Sequence, residues 1–193
     1  MMQNIHILMS SKSVIDYVLK NFTCPILDKN APYTLWCNKN YCLAAAANID
    51  GCIILRHTCA ELRADREIVL YAVKQNGWAL EYASAELRAD RDIVLCAVQQ
   101  EGLVLKYASA ELRADREIVL HAVERNGYAL EYASAELRAD REVVLCAIKQ
   151  NSCALECASA ELRADRKFIS EAIKINRITL LYASDELRKE FSK

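Results

Sequence analysis

The sequence is poor in the two residues that make most turns. Its 193 residues include only four glycines and two prolines. An all-β sandwich or barrel needs many short turns, so this scarcity argues against such folds and favours an α-rich domain. Aromatic residues are also few, at 7%, whereas hydrophobic residues make up 53% and charged residues 26%. That apolar content excludes a disordered chain.

The chain has no excess of charge and no long hydrophobic run. Lysine and arginine number 25 against 26 aspartates and glutamates, which gives a net charge of -1. Nucleic-acid-binding proteins typically carry a strong basic excess, so nucleic acid is an unfavoured partner. No apolar run reaches the roughly 18–20 residues that span a bilayer, and the N-terminus lacks the basic segment of a secretory signal. We therefore expect a cytoplasmic protein with no membrane partner.

A 25-residue repeat dominates what is present. The string Glu-Leu-Arg-Ala-Asp-Arg begins at five sites, which are Glu61, Glu86, Glu111, Glu136 and Glu161. Five tandem units therefore fill 65–189, and we number positions in each unit from its aspartate, so that Asp65 is position 1. A fixed period of this length is typical of a solenoid, in which neighbouring units supply the buried surface.

The flanking segments are assigned from the same pattern. A degenerate unit is predicted over 38–64, where Asn38 replaces Asp65 and Gly51 replaces Gly77, with two extra residues. An N-terminal capping region is predicted over 1–37, with an amphipathic helix at 13–22, and 190–193 form a C-terminal tail. In the last unit the apolar Leu181 replaces Glu156 of the preceding unit. We expect Leu181 to pack on Phe191 or on a partner.

Each unit predicts two helices. Asp65 suits the N-cap of a helix over 65–77, and Gly77 is interpreted as its end, because glycine tolerates a left-handed backbone. Residues 78–89 predict a second helix, which Ser84 either interrupts or leaves continuous. The predicted fold is therefore an all-α solenoid of 25-residue helical-hairpin repeats with an N-terminal capping helix.

The unit resembles a known family. Its pattern, Asp-Arg-Glu-Ile-Val-Leu-x-Ala-Val-x-x-Asn-Gly-x-Ala-Leu-x-Tyr-Ala-Ser-x-Glu-Leu-Arg, is similar to the tandem helical repeat called domain of unknown function 4116. The resemblance is strong over 65–189 and weak over 38–64. The resemblance implies a helical repeat fold. Arrays of this family occur in protists, large DNA viruses and effector-like proteins of intracellular bacterial pathogens. The resemblance supplies no catalytic residue or ligand.

Positions that differ between units are the candidate binding surface. Positions 3, 7, 10 and 14 fall on one predicted helical face, and aromatic side chains there are typical anchors of protein interfaces. The candidate residues, which we call the variable stripe, are Tyr71, Lys74, Trp78, His121, Glu124 and Tyr128. The competing interpretation is that exposed positions drift freely and that position 14 fills the core.

The charged residues that are identical in all five units are Asp65, Arg66, Glu86, Arg88 and their copies. We interpret them as structural, with the aspartate capping a helix and the arginines and glutamates forming a salt-bridge ladder between units. A binding role for the same charges is the weaker alternative.

A metal or catalytic site can be assembled only with difficulty. Cys153 and Cys157 are four residues apart and share a predicted face, and thiolates are good zinc ligands. His121 and Cys146, however, lie one unit apart, about 10 Å between stacked helices, which is too far for a tetrahedral site or a nucleophile pair. We predict no metal, no cofactor and no catalytic residue.

Three functions follow from these observations. The preferred one is a non-enzymatic protein–protein interaction module, an effector or adaptor that acts in the cytoplasm, or in the host cytosol if it is translocated. A cysteine-dependent or metal-assisted enzyme is the first alternative, although no small-molecule substrate is evident. A nucleic-acid-binding helical array is the second, because some helical arrays read one base per unit.

Overall fold

A computed structural model describes residues 36–46 and 50–192 of the chain. Within that part the structure contains helices and no β-strand, and the helices recur at the 25-residue period. The predicted all-α solenoid is confirmed. The helix predicted over 13–22 lies outside the described residues.

Each unit begins with a main α-helix of ten residues. The five main helices are Arg66–Gln75, Arg91–Gln100, Arg116–Arg125, Arg141–Gln150 and Arg166–Ile175. The aspartate at position 1 caps each of them, as predicted. In the first, Asp65 Oδ1 accepts hydrogen bonds from the N–H groups of Glu67 and Ile68, at 3.0 and 3.2 Å. These bonds satisfy donors that the helix itself leaves unpaired.

The second half of each unit is divided into two pieces. A six-residue 3₁₀ helix comes first, at Gly77–Tyr82, Gly102–Tyr107, Gly127–Tyr132, Ser152–Cys157 and Arg177–Tyr182. An extended alanine follows, and then a short helix at Leu87–Ala89, Ala110–Arg113, Ala135–Arg138, Ala160–Ala164 or Asp185–Phe191. The serine at position 20 precedes the short helix, and in the inner units its hydroxyl accepts from the backbone N–H three residues on. Ser84 therefore interrupts the second helix.

The segment before Asp65 has a related layout. Helices Lys39–Ala46, Gly51–His57 and Ala60–Arg63 follow one another in the same order. The middle piece is a seven-residue α-helix in place of a six-residue 3₁₀ helix, which takes up one of the two extra residues. Lys39 stands where later units have an arginine, and its Nζ lies 2.8 Å from both Asp65 Oδ2 and Glu67 Oε2.

The reason given above for Gly77 is wrong. The main helix ends because Asn76 is extended, at φ -150° and ψ 112°, and its Oδ1 accepts from the N–H of Trp78 at 3.0 Å. Glycine is needed for a different reason, since a Cβ at Gly77 would lie 2.8 Å from the carbonyl oxygen of Ala97 in the next unit. The last two units end their main helices at the same position with Ser152 or Arg177 in place of glycine.

The core is a continuous stack with no single centre. Each unit buries positions 4, 5 and 8 of its main helix and position 16 of its 3₁₀ helix, for example Ile68, Val69, Ala72 and Leu80. Backbone bonds also join the units, because the N–H at position 20 donates to the carbonyl at position 24 of the preceding unit. Ser109 N to Arg88 O, at 2.9 Å, is one of these bonds. Because a unit is too short to be stable alone, its stability depends on these neighbours.

The C-terminal end leaves apolar side chains exposed. Leu181 is 64% exposed, so Phe191 does not cover it. Phe191 lies instead near Arg166, whose guanidinium carbon is 5.7 Å from the ring centroid. Glu190 also contacts Arg166, with 2.6 Å between Nε and Oε1.

Candidate functional site

The arginine at position 2 forms a ladder of ion pairs between units, but its partners are the aspartate at position 1 and the acid at position 3, and not the predicted invariant glutamate. Arg66 lies 2.7 Å from both Asp90 and Asp92 of the next unit. Arg91 repeats this with Asp115 at 3.3 Å and Glu117 at 2.5 Å. The ladder continues through Arg116, Arg141 and Arg166. Because these arginines are about half exposed, each pair stabilises the fold only slightly, and the ladder fixes the register of neighbouring units.

The invariant glutamate and arginine of the short helix lie outside that ladder. The pKa of Glu86 is lowered because its carboxylate accepts from its own backbone N–H and from the Ser84 hydroxyl. In the four inner units, these arginines form no ion pair with any described residue. Their Nε atoms are buried and lack a hydrogen-bond partner in the described structure, in Arg88, Arg113, Arg138 and Arg163. The prediction that all the invariant charges join one ladder is therefore wrong for these two positions.

The variable stripe divides between two elements. Positions 7 and 10 lie on the main helices, and position 14 lies on the 3₁₀ helices, so the six residues do not share one helix face. Those on main helices are Tyr71, Lys74, His121 and Glu124, and those on 3₁₀ helices are Trp78 and Tyr128. The break at position 12 causes the division, because the extended asparagine redirects the chain.

The main-helix residues of the stripe face solvent. Tyr71 is 38% exposed, and Lys74 and Glu124 are exposed as well. His121 is half-buried, and its Nδ1 lies 3.8 Å from Glu124 Oε2. Each of these side chains is accessible to a partner without any movement of the backbone.

The 3₁₀ residues contact the next unit. The Trp78 ring packs edge-on against Tyr107, with 6.3 Å between centroids. Lys106 Nζ lies 5.1 Å from the Trp78 centroid and 4.7 Å from that of Tyr107. Trp78 is therefore partly a packing residue, whereas Tyr128 at the equivalent position is 38% exposed.

Tyr128 lies at the edge of a groove of about 610 Å³ that was not predicted. Two glutamates at position 17, Glu131 and Glu156, line it together with two arginines at position 24, Arg138 and Arg163. Alanine and serine of the extended segment and the short helix form most of the rest. The sequence shows these residues at regular spacing, but only the division of the second helix brings them together.

The described cysteines are not gathered into a metal-binding group. Among the residues that the structure describes, no group of three or more histidine, cysteine, aspartate or glutamate side chains is placed to hold a metal ion. Burial raises the pKa of Cys146 and of Cys157, and it raises the pKa of Cys42 to about 12. These thiols are protonated at neutral pH, whereas a nucleophilic or metal-binding cysteine acts as the thiolate.

None of the described helices is long and apolar enough to cross a bilayer, and the longest have ten residues.

The comparisons with known proteins agree with the repeat. A sequence profile described as domain of unknown function (DUF4116) matches residues 38–88, 65–113, 90–138 and 140–188, and each match spans two neighbouring units. No curated protein and no solved structure matches the chain. Since the matches together cover most of the sequence, the chain belongs to the DUF4116 family of helical repeats.

Proposed function

We propose that this chain is a non-enzymatic scaffold that binds another protein through the variable stripe. The observation that carries the proposal is that some positions of the unit are identical in every copy and structural, whereas others vary and face solvent. Residues that are identical from unit to unit include the helix caps and the ladder, while exposed side chains at positions 7, 10 and 14 differ.

The exposed aromatic side chains support this proposal. Tyr71 and Tyr128 are two of the large hydrophobic residues that the described structure leaves exposed. Tyrosine offers a large rigid surface with a polar end, and it is enriched among the residues that dominate binding energy. On a rigid array such residues are held at fixed spacing, which lowers the entropy that binding must overcome.

The proposal also includes the kind of scaffold and the place where it acts. The distribution of similar arrays supports a role as an adaptor or effector, acting in the cytoplasm of the cell that makes the protein or of a host cell. The raised pKa values of the half-buried Cys146 and Cys157 thiols make a cysteine-dependent enzyme the weaker alternative.

The test is a quantitative pull-down with the full chain and two variants. The stripe variant carries Tyr71→Ala, His121→Ala and Tyr128→Ala, and it spares Trp78 because that ring packs on Tyr107. The control carries Glu101→Ala and Lys189→Ala, which remove exposed side chains at positions outside the candidate binding surface. Circular dichroism first establishes that all three proteins are equally helical.

We expect the control to retain the proteins captured by the parent chain and the stripe variant to lose at least one of them by about tenfold or more, as the removal of interface anchors would require. A partner set that is identical for all three proteins would refute the role of the stripe.

A further inference from the structure

The invariant arginines of position 24 differ in one respect from every other arginine of the array. In the four inner copies the buried Nε has no hydrogen-bond partner among the described residues, and no acid is close enough for an ion pair. We call these four residues, Arg88, Arg113, Arg138 and Arg163, the arginine row.

The arginines at the two ends of the same series are satisfied. Arg63 donates from Nε to the carbonyl of Thr58 at 3.1 Å, and from Nη2 to that of Arg56 at 3.2 Å. Arg188 contacts Asp185. The fold therefore satisfies an arginine at this position where a carbonyl or a carboxylate is at hand, and it leaves the four inner ones without a partner. The Nε atoms themselves are closed to solvent, but each half-buried guanidinium carries a charge that no described acid neutralises, and such a charge favours an anionic ligand on its accessible side.

The arginine row lines a groove that is open to a ligand. Arg138 and Arg163 belong to the lining of the 610 Å³ groove. The units are stacked alike, so the row continues through Arg113 and Arg88 at the spacing of neighbouring packed helices, about 8–10 Å. A guanidinium presents its donors in a planar fork that matches a carboxylate.

We propose that the arginine row binds an extended acidic peptide with a carboxylate at every third residue. This inference rests on the scaffold function proposed above and adds a second binding surface, outside the variable stripe, for an acidic partner. A polyproline II chain has three residues per turn and rises about 3.1 Å per residue, so every third side chain points the same way about 9 Å further on. That spacing matches the row.

The glutamates of the groove favour a peptide over a nucleic acid. Glu131 and Glu156 line the same groove, and the equivalent residues are Glu81 in the first unit and Lys106 in the second. A continuous phosphate backbone would be repelled by these carboxylates. A peptide avoids the repulsion, because the residues between its acids are neutral.

Fluorescence anisotropy with the full chain tests the proposal. The probe is a labelled peptide of four Glu-Pro-Pro triplets, and the matched probe has the same composition with its four glutamates contiguous. A labelled single-stranded RNA of mixed sequence is the third ligand. We expect the triplet peptide to bind at least about tenfold more tightly than the contiguous one and more tightly than the RNA.

Variants locate the site. The double change Arg138→Gln and Arg163→Gln is expected to weaken binding of the triplet peptide on the order of tenfold per arginine. The double change Arg138→Lys and Arg163→Lys keeps charge and bulk but loses the fork, and it is expected to weaken binding severalfold. The charge-matched control, Lys167→Gln with Lys189→Gln, is expected to change affinity less than about twofold, since these exposed lysines lie off the groove. Glu131→Gln with Glu156→Gln is expected to tighten binding.

Equal binding of the two peptides, preference for the RNA, or unchanged affinity in the Arg→Gln protein would each overturn the inference. If the arginine-row inference fails but the pull-down still captures a protein whose binding depends on the stripe residues, the proposed scaffold function remains supported. If the stripe variant captures the same proteins as the parent chain while the triplet peptide still binds, the binding role of the stripe is refuted and that of the arginine row is retained.

Discussion

At the scale of single residues, position 13 is the closest approach between successive units. All four glycines of the chain occupy it, at Gly51, Gly77, Gly102 and Gly127. A Cβ at Gly102 would lie 2.2 Å from the carbonyl oxygen of Ala122 and 3.0 Å from the N–H nitrogen of Asn126. Because both obstacles are backbone atoms, the neighbouring unit would have to move.

We predict that Gly102→Ala lowers the free energy of unfolding by about 1–3 kcal/mol, the usual effect of overpacking. Ser152→Ala is the control, because the same position already holds a Cβ there and the change removes only a hydroxyl. Urea unfolding measures both. If the two proteins lose equal stability, the close approach is not what selects glycine.

Position 1 makes two contributions, a helix cap and an ion pair. The pKa of Asp90 is lowered from its ordinary 3.8, first because Arg66 bonds to the carboxylate, against the opposing effect of burial. The folded chain therefore binds this proton less tightly than the unfolded chain. The resulting stability is present above about pH 4 and is lost as the pH falls through the lowered pKa.

We predict that Asp90→Asn, which keeps a capping oxygen but no charge, is less stable than the parent chain at neutral pH. The difference between the two proteins should shrink towards zero as the pH falls below the folded pKa. Urea unfolding across the acid range measures it, and Asp92→Asn, which lacks the capping role, should show a smaller difference throughout. A difference that does not depend on pH would contradict the ion pair.

At the scale of the element, the asparagine at position 12 joins the main helix to the 3₁₀ helix. Asn126 is extended and its Oδ1 accepts from the N–H of Tyr128 at 3.1 Å. Glu101 has nearly the same backbone angles but makes no capping bond. One junction of the array therefore lacks an interaction that the others have.

We predict opposite effects at these two junctions. Asn126→Ala should cost about 1 kcal/mol of unfolding free energy, and Glu101→Asn should add about 0.5–1 kcal/mol. Thermal and urea unfolding of the two single variants measure the changes. A loss of stability in Glu101→Asn would show that the cap does not hold the junction.

The elements also show where sequence reasoning succeeds. The main helices follow from the aspartate cap and the apolar spacing, and the structure has them within two residues of the predicted ends. The second half of the unit could not be decided, because Ala-Ser-Ala is compatible with a continuous helix. Two interactions accompany the interruption: the serine hydroxyl caps the short helix locally, and the serine N–H donates to the preceding unit, a contact that the sequence of one unit does not show.

At the scale of the whole molecule, the period predicted the solenoid but not its grooves. The variable stripe was expected on one helical face, but the end of the main helix at Asn76 places Tyr71 and Trp78 on different elements. The arginine row could not be predicted from the sequence for a related reason. Arg66 and Arg88 are equally invariant in sequence, and only the stacked structure shows that the first is paired and the second is not.

The central claim is that the invariant residues build an array in which units depend on their neighbours. Deletion of residues 115–139 tests it, because every contact across the new junction has an equivalent. Arg91 would face Asp140 and Glu142 in place of Asp115 and Glu117. Deletion of residues 115–132 removes a similar length but breaks the register, and it serves as the control.

The decisive measurement is far-UV circular dichroism of the in-register deletion, followed through urea unfolding. We predict the same helical signal per residue as the parent chain, a lower unfolding midpoint, and a smaller dependence on urea because less surface is exposed. The out-of-register control should lose helical signal. An in-register deletion that is unfolded, or no more helical than the control, would contradict the account.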